Sequence, residues 1–242
     1  MTDADHKEDT GADSIEERLV RINDRIGKAC VRAGRVPDDV VLLPITKGVT
    51  PDRIAEAARC GLTVFGESKV QEARHKIPMC AGNLTWHMIG HLQSNKIRDA
   101  VWLFSAIQAI DSLKLLQMVN EGCEKAGKSM PVALEINVGG EGTKFGMNEA
   151  DAAAVLQACN ELSRVEVTGL MAIPPITADP EGARPFFRRL REIRDRLRDG
   201  SGFELRELSM GMSHDFEVAI EEGATTIRLG TIIFGKREAM KQ

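Results

Sequence analysis

The sequence predicts an α/β protein, a single (β/α)8 TIM-like barrel preceded by one extra N-terminal helix. Strand-like and helix-like segments alternate along the chain, as in a parallel sheet covered by helices. Eight segments have strand character, and 242 residues is an ordinary length for one such barrel. A doubly wound open sheet is the alternative that the same alternation allows.

The chain begins with a polar, acidic stretch over residues 1–12, which predicts a flexible tail and lacks the apolar core of a signal peptide. The barrel domain is expected over 13–242. Its first helix is predicted from about Ser14 to Gly34, because Ser14 and Glu17 have the spacing of a capping box. One stripe of this helix is apolar, formed by Ile15, Leu19, Ile22 and Ile26.

Eight strands and seven further helices follow in alternation. The strands are predicted near 40–47, 63–66, 85–90, 103–110, 131–138, 165–172, 205–210 and 226–229. The helices are predicted near 51–60, 68–77, 95–101, 112–125, 148–163, 180–198 and 214–222. Active sites of barrels lie at the C-terminal ends of the strands, so the polar residues there are the candidates for function.

Lys47 is the first such candidate, because it ends an apolar run typical of a fully buried strand. Burial disfavours the charged form of an amine, and a neutral lysine can condense with a carbonyl to form a Schiff base. The structural alternative is a lysine whose stem lies along the core while its amine reaches water.

The last two strands are followed by segments suited to phosphate. Barrel enzymes often bind phosphate on these loops. The segment from Ser209 through Met212 to Ser213 offers two hydroxyls and a glycine before a helix, and Gly230 and Thr231 add an N–H and a third hydroxyl. Glycine and serine are also common turn residues, so each segment could be only a loop.

Arg228 lies between Ile227 and Leu229 on the last strand, so its side chain is expected to point into the barrel. A buried arginine needs a partner, either a carboxylate such as Glu135 or a ligand atom. A lysine, a phosphate site and an inward cation together fit pyridoxal 5'-phosphate (PLP). Since arginine keeps its proton, it would leave the pyridine nitrogen unprotonated and disfavour extensive carbanion chemistry.

Seven motifs, in order and with sensible spacing from about 40 to 237, resemble those of the PLP homeostasis protein family, also called proline synthase co-transcribed homologues. They cover residues 44–47, 65–73, 86–96, 144–146, 169–171, 208–213 and 228–235. The resemblance implies a barrel similar to the N-terminal domain of alanine racemase. It also implies a non-catalytic carrier that buffers PLP through a reversible lysine Schiff base (aldimine) and regulates vitamin B6 and amino-acid pools.

By position, the resemblance implies that Lys47 forms the Schiff base and Arg228 faces the pyridine nitrogen. The phosphate would be held by Ser209, Ser213, Gly230 and Thr231, with Met212 and His87 also lining the cofactor site. Where the family usually has asparagine, this chain has Ser68, followed by Lys69, so a ring contact from that position is not expected. The chain contains no tyrosine, whereas alanine racemase supplies its second base as a tyrosine of a separate C-terminal domain.

Three other patterns resemble binding sites. His87 and His91 lie about 13 Å apart on a strand, too far to share one metal ion, so no metal is expected. The arginine-rich stretch over 188–198 predicts a solvated helix with Arg188–Glu192 and Arg191–Asp195 pairs. Its apolar face would be formed by Phe186, Leu190, Ile193 and Leu197. Lys96 and Lys144 are candidates for a secondary anion or PLP site.

Charge and composition exclude several classes of protein. A net charge of -4 and a pI near 5.8 disfavour a nucleic-acid binder. Five widely spaced cysteines without a C-x-x-C pair indicate reduced thiols, and no run is long enough for a membrane span. A cytoplasmic monomer that serves PLP-dependent apoenzymes is expected. The alternatives are a weak PLP-dependent racemase or lyase using His87 or water, and a cofactor-free Schiff-base aldolase.

Overall fold

A computed structural model describes residues 13–140 and 145–235, and within them eight parallel strands alternate with helices. The strands are β1 (Val41–Pro44), β2 (Val64–Glu67), β3 (Thr85–Met88), β4 (Ala106–Ile110), β5 (Met130–Glu135), β6 (Val165–Met171), β7 (Glu207–Ser209) and β8 (Thr226–Leu229). The helices are α1 (Ile15–Arg32), α2 (Pro51–Arg59), α3 (Val70–Lys76), α4 (Ile97–Leu103), α5 (Leu113–Ala126), α6 (Glu149–Cys159), α7 (Arg184–Ser201), α8 (Phe216–Glu221) and α9 (Thr231–Phe234). The short helix α9 was not predicted.

The strands form one sheet that closes on itself. From β2 to β8 each strand pairs in parallel with the next in sequence, and β1 pairs in parallel with β8 over four residues. The remaining edge, between β1 and β2, is joined by a bridge between Ile45 and Gly66 and by a 3.0 Å hydrogen bond from the Thr46 N–H to the Gly66 carbonyl. The predicted barrel is therefore confirmed, and the doubly wound open sheet is wrong.

Helix α1 begins as its sequence predicts. The Glu17 N–H donates to the Ser14 hydroxyl (3.2 Å), and the Ser14 N–H donates to the Glu17 carboxylate (2.8 Å), which completes the capping box. The predicted apolar stripe is buried. Arg25 pairs with Glu217 at 2.8 Å and lies over the ring of Phe216, so α1 is fixed to α8.

The apolar core lies mainly between the strands and the surrounding helices. Inside the barrel a small separate cluster contains Ala109, Ala133 and Met171. The interior is otherwise rich in polar side chains, which the apolar appearance of the strands did not indicate. This polar interior is where the candidate residues of the last strands meet.

Helix α7 buries Leu190, Ile193 and Leu197 as predicted, whereas Phe187 is fully buried and Phe186 only partly. The predicted pairs of Arg188 with Glu192 and Arg191 with Asp195 are wrong. Both arginines instead reach the buried Glu222 at 3.1 Å, together with Arg184 at 3.2 Å. A buried carboxylate attracts these cations more strongly than an exposed one on the same helix.

Three further observations concern the chain as a whole. The five thiols are free, and burial raises the pKa of Cys159 to about 11. Among the described residues, no helix has the length and apolar character needed to cross a membrane. The predicted tail over residues 1–12 and the candidate Lys144 lie outside the described residues.

Candidate functional site

Lys47 lies at the C-terminal mouth of the barrel, three residues after β1 ends. It is half-buried, while the preceding Thr46 is completely buried. Within 13–140 and 145–235, the Lys47 amine has no hydrogen-bond or ion-pair partner. The side chain therefore offers an amine that is partly shielded by protein and uncommitted to any neighbouring carboxylate.

A second lysine, Lys76, lies close to the backbone next to Lys47, and all three of its N–H groups are hydrogen-bonded. The Lys76 ammonium, 8% exposed, donates to the Thr46 carbonyl and to one carboxylate oxygen each of Glu67 and Glu72, all at 2.6 Å. Burial raises the pKa of Glu67, against the opposing effect of Lys76. For Glu72, burial is outweighed by hydrogen bonds from Lys76 and the Gly48 N–H, which lower its pKa. Glu67 and Glu72 fall within the motif at 65–73, whereas Lys76 lies outside it and was not predicted as a site residue.

Arg228 points into the barrel, as predicted, and is 3% exposed. Its guanidinium donates to the Ser209 hydroxyl and to the Ala172 carbonyl, both at 2.8 Å. Glu135, the expected carboxylate partner, forms no ion pair with it in the described structure and acts at longer range. Burial lowers the pKa of Arg228 to about 10, so the side chain stays protonated at neutral pH.

The Ser209 hydroxyl is buried and already has two partners. It accepts from Arg228 and donates to the amide oxygen of Gln108 at 2.7 Å. The amide nitrogen of Gln108 lies 3.0 Å from the Glu207 carboxylate and 3.3 Å from Nδ1 of His87. Ser209 is thus placed to orient Arg228 and not only to contact a ligand.

His87 joins this interior network through its Nδ1 atom. Burial lowers the pKa of its ring, which favours the neutral form. Gln108 was not predicted as a site residue. The available signal was a single amide within the otherwise apolar strand β4.

The loop after β7 depends on Gly211. Its backbone φ is +90°, and a Cβ there would lie 2.5 Å from the Cβ of Ala219 and 3.1 Å from the Cα of Phe216. The loop is closed by a 2.7 Å hydrogen bond from the Met212 N–H to the Asp215 carboxylate, whose pKa is raised by burial. Met212 and Ser213 are half-buried in this loop.

Gly230 and Thr231 lie at the beginning of α9, directly after the strand that carries Arg228. Gly230 is half-buried and Thr231 exposed. The neighbouring β1 approaches here, since a Cβ on Gly230 would lie 3.5 Å from the Ile45 carbonyl oxygen. The candidate phosphate residues and Lys47 therefore follow adjacent strands, β7, β8 and β1.

Further acidic and aromatic residues lie at the mouth. Nδ1 of His91 is 3.1 Å from the Asp111 carboxylate, and its ring stacks on Phe145 with 3.9 Å between centroids. Glu135, 7% exposed, ends β5; burial, with a smaller effect of Asp111, raises its pKa to about 7. Lys96 is half-buried, and in the described parts of the chain no three potential ligands cluster around a metal site.

Comparison with known proteins agrees with this architecture. Residues 42–238 match the family model for the alanine racemase N-terminal domain. The pyridoxal phosphate homeostasis protein of Aquifex aeolicus is 45% identical over 92% of this chain and 98% of its own, and that of Pseudomonas aeruginosa is 39% identical over 93% and 96%.

Solved structures show the same relationship. PipY of Synechococcus elongatus, determined with PLP bound, has a TM-score of 0.82 and 34% identity over 92% of this chain and all of its own. An alanine racemase of Clostridium difficile shares the fold, with a TM-score of 0.69, 14% identity and coverage of 95% of this chain and 58% of the racemase. This chain belongs to the pyridoxal phosphate homeostasis protein family.

Proposed function

We propose that the protein binds PLP at the C-terminal mouth of the barrel and that Lys47 is the residue to which the cofactor is attached. When bound, PLP supplies an aldehyde that condenses reversibly with an amine and releases water. The observation that carries this proposal is the free amine of Lys47, which follows β1, the strand adjacent to the one that carries the buried Arg228.

The residues present fit the chemical groups of PLP. Lys47 offers the amine, and the buried guanidinium of Arg228 offers a donor to an unprotonated ring nitrogen. Ser213, Gly230 and Thr231 offer hydroxyls and backbone N–H groups to the phosphate. Ser209 orients Arg228 in this proposal, which modifies its expected role as a direct phosphate ligand. Met212 and His87 remain proposed as neighbours of the cofactor.

We further propose a carrier and regulator of PLP supply in the cytoplasm, acting as a monomer and passing the cofactor to PLP-dependent apoenzymes. A reversible bond between Lys47 and PLP would keep the concentration of free aldehyde low and still allow PLP to be released. Lys47 is partly open to solvent, which favours exchange, whereas catalysis gains from exclusion of water. The full sequence has no tyrosine to act as a second base. The relatives named above carry the homeostasis description.

The test is borohydride reduction of the PLP-loaded protein, followed by peptide mass mapping. We expect a pyridoxyl group on Lys47 and none on Lys76, whose three N–H groups are already donated. Lys47→Ala should abolish the visible absorbance that PLP acquires on the protein, while Lys96→Ala should retain it. An adduct confined to another lysine would refute the assignment.

A further inference from the structure

A buried cluster of three charged side chains holds the backbone on both sides of Lys47. We define the Lys76 cluster as Lys76, Glu67 and Glu72. It lies between α3, which carries Lys76 and Glu72, and β2, which ends at Glu67. Its members are 8%, 0% and 19% exposed at their side chains, so water screens their interactions little.

Each backbone group that flanks Lys47 contacts this cluster. The carbonyl of Thr46 accepts from the Lys76 ammonium, and the N–H of Gly48 donates to the Glu72 carboxylate, both at 2.6 Å. The Thr46 hydroxyl also donates to Glu67, at 2.5 Å. The peptide segment that carries Lys47 is therefore anchored before and after the lysine by charge-assisted hydrogen bonds.

The three N–H groups of Lys76 are matched by three acceptors, so the cluster has one geometry that satisfies all its members. Loss of Glu67 or Glu72 leaves one N–H of the buried Lys76 without its acceptor, and loss of Lys76 removes the ion-pair partner of both carboxylates. A cluster of this kind is suited to fixing a position, since side-chain rearrangement within it is costly.

We propose that Glu72 and Lys76 are positioning residues for the Lys47 amine. This inference rests on the proposed function of Lys47. It adds that the position in which Glu72 and Lys76 hold the Lys47 segment determines the affinity of the amine for an aldehyde. An amine that is already oriented toward the bound aldehyde condenses with it more favourably, and an amine displaced from that position loses this advantage. Recognition of the phosphate and ring by the loops after β7 and β8 does not need this anchor.

The distinction gives a test that compares two ligands. Pyridoxine 5'-phosphate has the ring and phosphate of PLP but a hydroxymethyl group in place of the aldehyde, so it cannot condense with Lys47. Calorimetry should measure the Kd of both ligands for the wild type, Glu72→Leu and Glu72→Gln. The matched control is Glu222→Gln, which alters another buried, ion-paired carboxylate, located just before β8 begins.

Glu72→Leu removes the acceptor for the Gly48 N–H, so we expect the Kd for PLP to rise about ten-fold or more, with the Kd for pyridoxine 5'-phosphate within about two-fold of the wild type. Glu72→Gln keeps one neutral acceptor oxygen, so the preference for PLP should fall less, by about three-fold. It also serves if Glu72→Leu does not fold. Glu222→Gln should preserve the preference even if its melting temperature falls.

Two contrary results are separable. If a folded Glu72 variant keeps the wild-type ratio of the two Kd values, or loses affinity for both ligands equally, the positioning role is overturned while PLP binding stands. If the wild type itself shows no preference for PLP and no adduct on Lys47, the proposed function is overturned, and this inference with it.

Discussion

Ser209 and Arg228 are joined by a 2.8 Å hydrogen bond inside the barrel, although 19 residues separate them in sequence. The hydroxyl also donates to Gln108, so it links a cation to a neutral amide across the interior. Ser209, which the sequence predicted as a phosphate ligand, therefore orients Arg228, the residue proposed to contact the ring nitrogen.

Replacing Ser209 with alanine should therefore destabilise the protein. Both the Arg228 guanidinium and the Gln108 oxygen lose a buried partner, at a cost of about 1–3 kcal/mol in the free energy of unfolding. Urea denaturation measures this cost. Ser105→Ala is the control, because that exposed hydroxyl bonds a single carbonyl, of Trp86. Equal stability losses in the two variants would contradict the role assigned to Ser209.

Glu135 should make the stability of the ligand-free protein fall between about pH 4.5 and 7. Burial raises its pKa from 4.5 to about 7, so the folded form holds the proton more tightly than the unfolded one across that range. Below it both forms are protonated, and above it the loss is complete, at about 3 kcal/mol at most.

Urea unfolding should accordingly show that Glu135→Gln is more stable relative to the wild type at pH 8 than it is at pH 5. Glu149→Gln is the control, since hydrogen bonding to Arg196 lowers the pKa of Glu149 from 4.5, so its effect on stability changes below pH 5 and should be nearly the same at pH 5 and pH 8. A gain for Glu135→Gln that is the same at both pH values would show that Glu135 is ionised throughout.

Gly211→Ala should cost more stability than its backbone strain alone explains. Its Cβ would collide with Ala219 and Phe216, whereas a Cβ on Gly82, which has a similar φ of +100°, would meet nothing within 4 Å. Strain at either position costs about 1–3 kcal/mol. The excess in Gly211→Ala over Gly82→Ala, seen in thermal unfolding, measures the packing of the β7–α8 loop. PLP affinity should fall in the Gly211 variant only.

The PLP-loaded protein should not racemise L-amino acids faster than free PLP does. The Nδ1 atom of His87, the residue considered as a second base, lies 3.3 Å from the Gln108 amide nitrogen inside the barrel, and the full sequence has no tyrosine. Chiral chromatography of a panel of L-amino acids tests this expectation. Turnover that disappears in Lys47→Ala would instead establish an enzyme.

The sequence predicted what depends on local pattern. Alternation of Arg228 with Ile227 and Leu229 was enough to place the arginine inside the barrel, and the position of Lys47 after an apolar run placed it at the mouth. The sequence could not predict contacts between side chains that only the closed barrel brings together. Gln108 and Ser209 are 101 residues apart, and Arg188 pairs with Glu222 because α7 lies beside α8.

The edge between β1 and β2 has one bridge pair, whereas β5 and β6 share six. At that edge, Glu72 and Lys76 of α3 hydrogen-bond the backbone of Gly48 and Thr46, just after β1, where few backbone hydrogen bonds join the two strands. The seam beside Lys47 is consequently closed by contacts of charged side chains with the backbone, and not by a ladder of strand pairs.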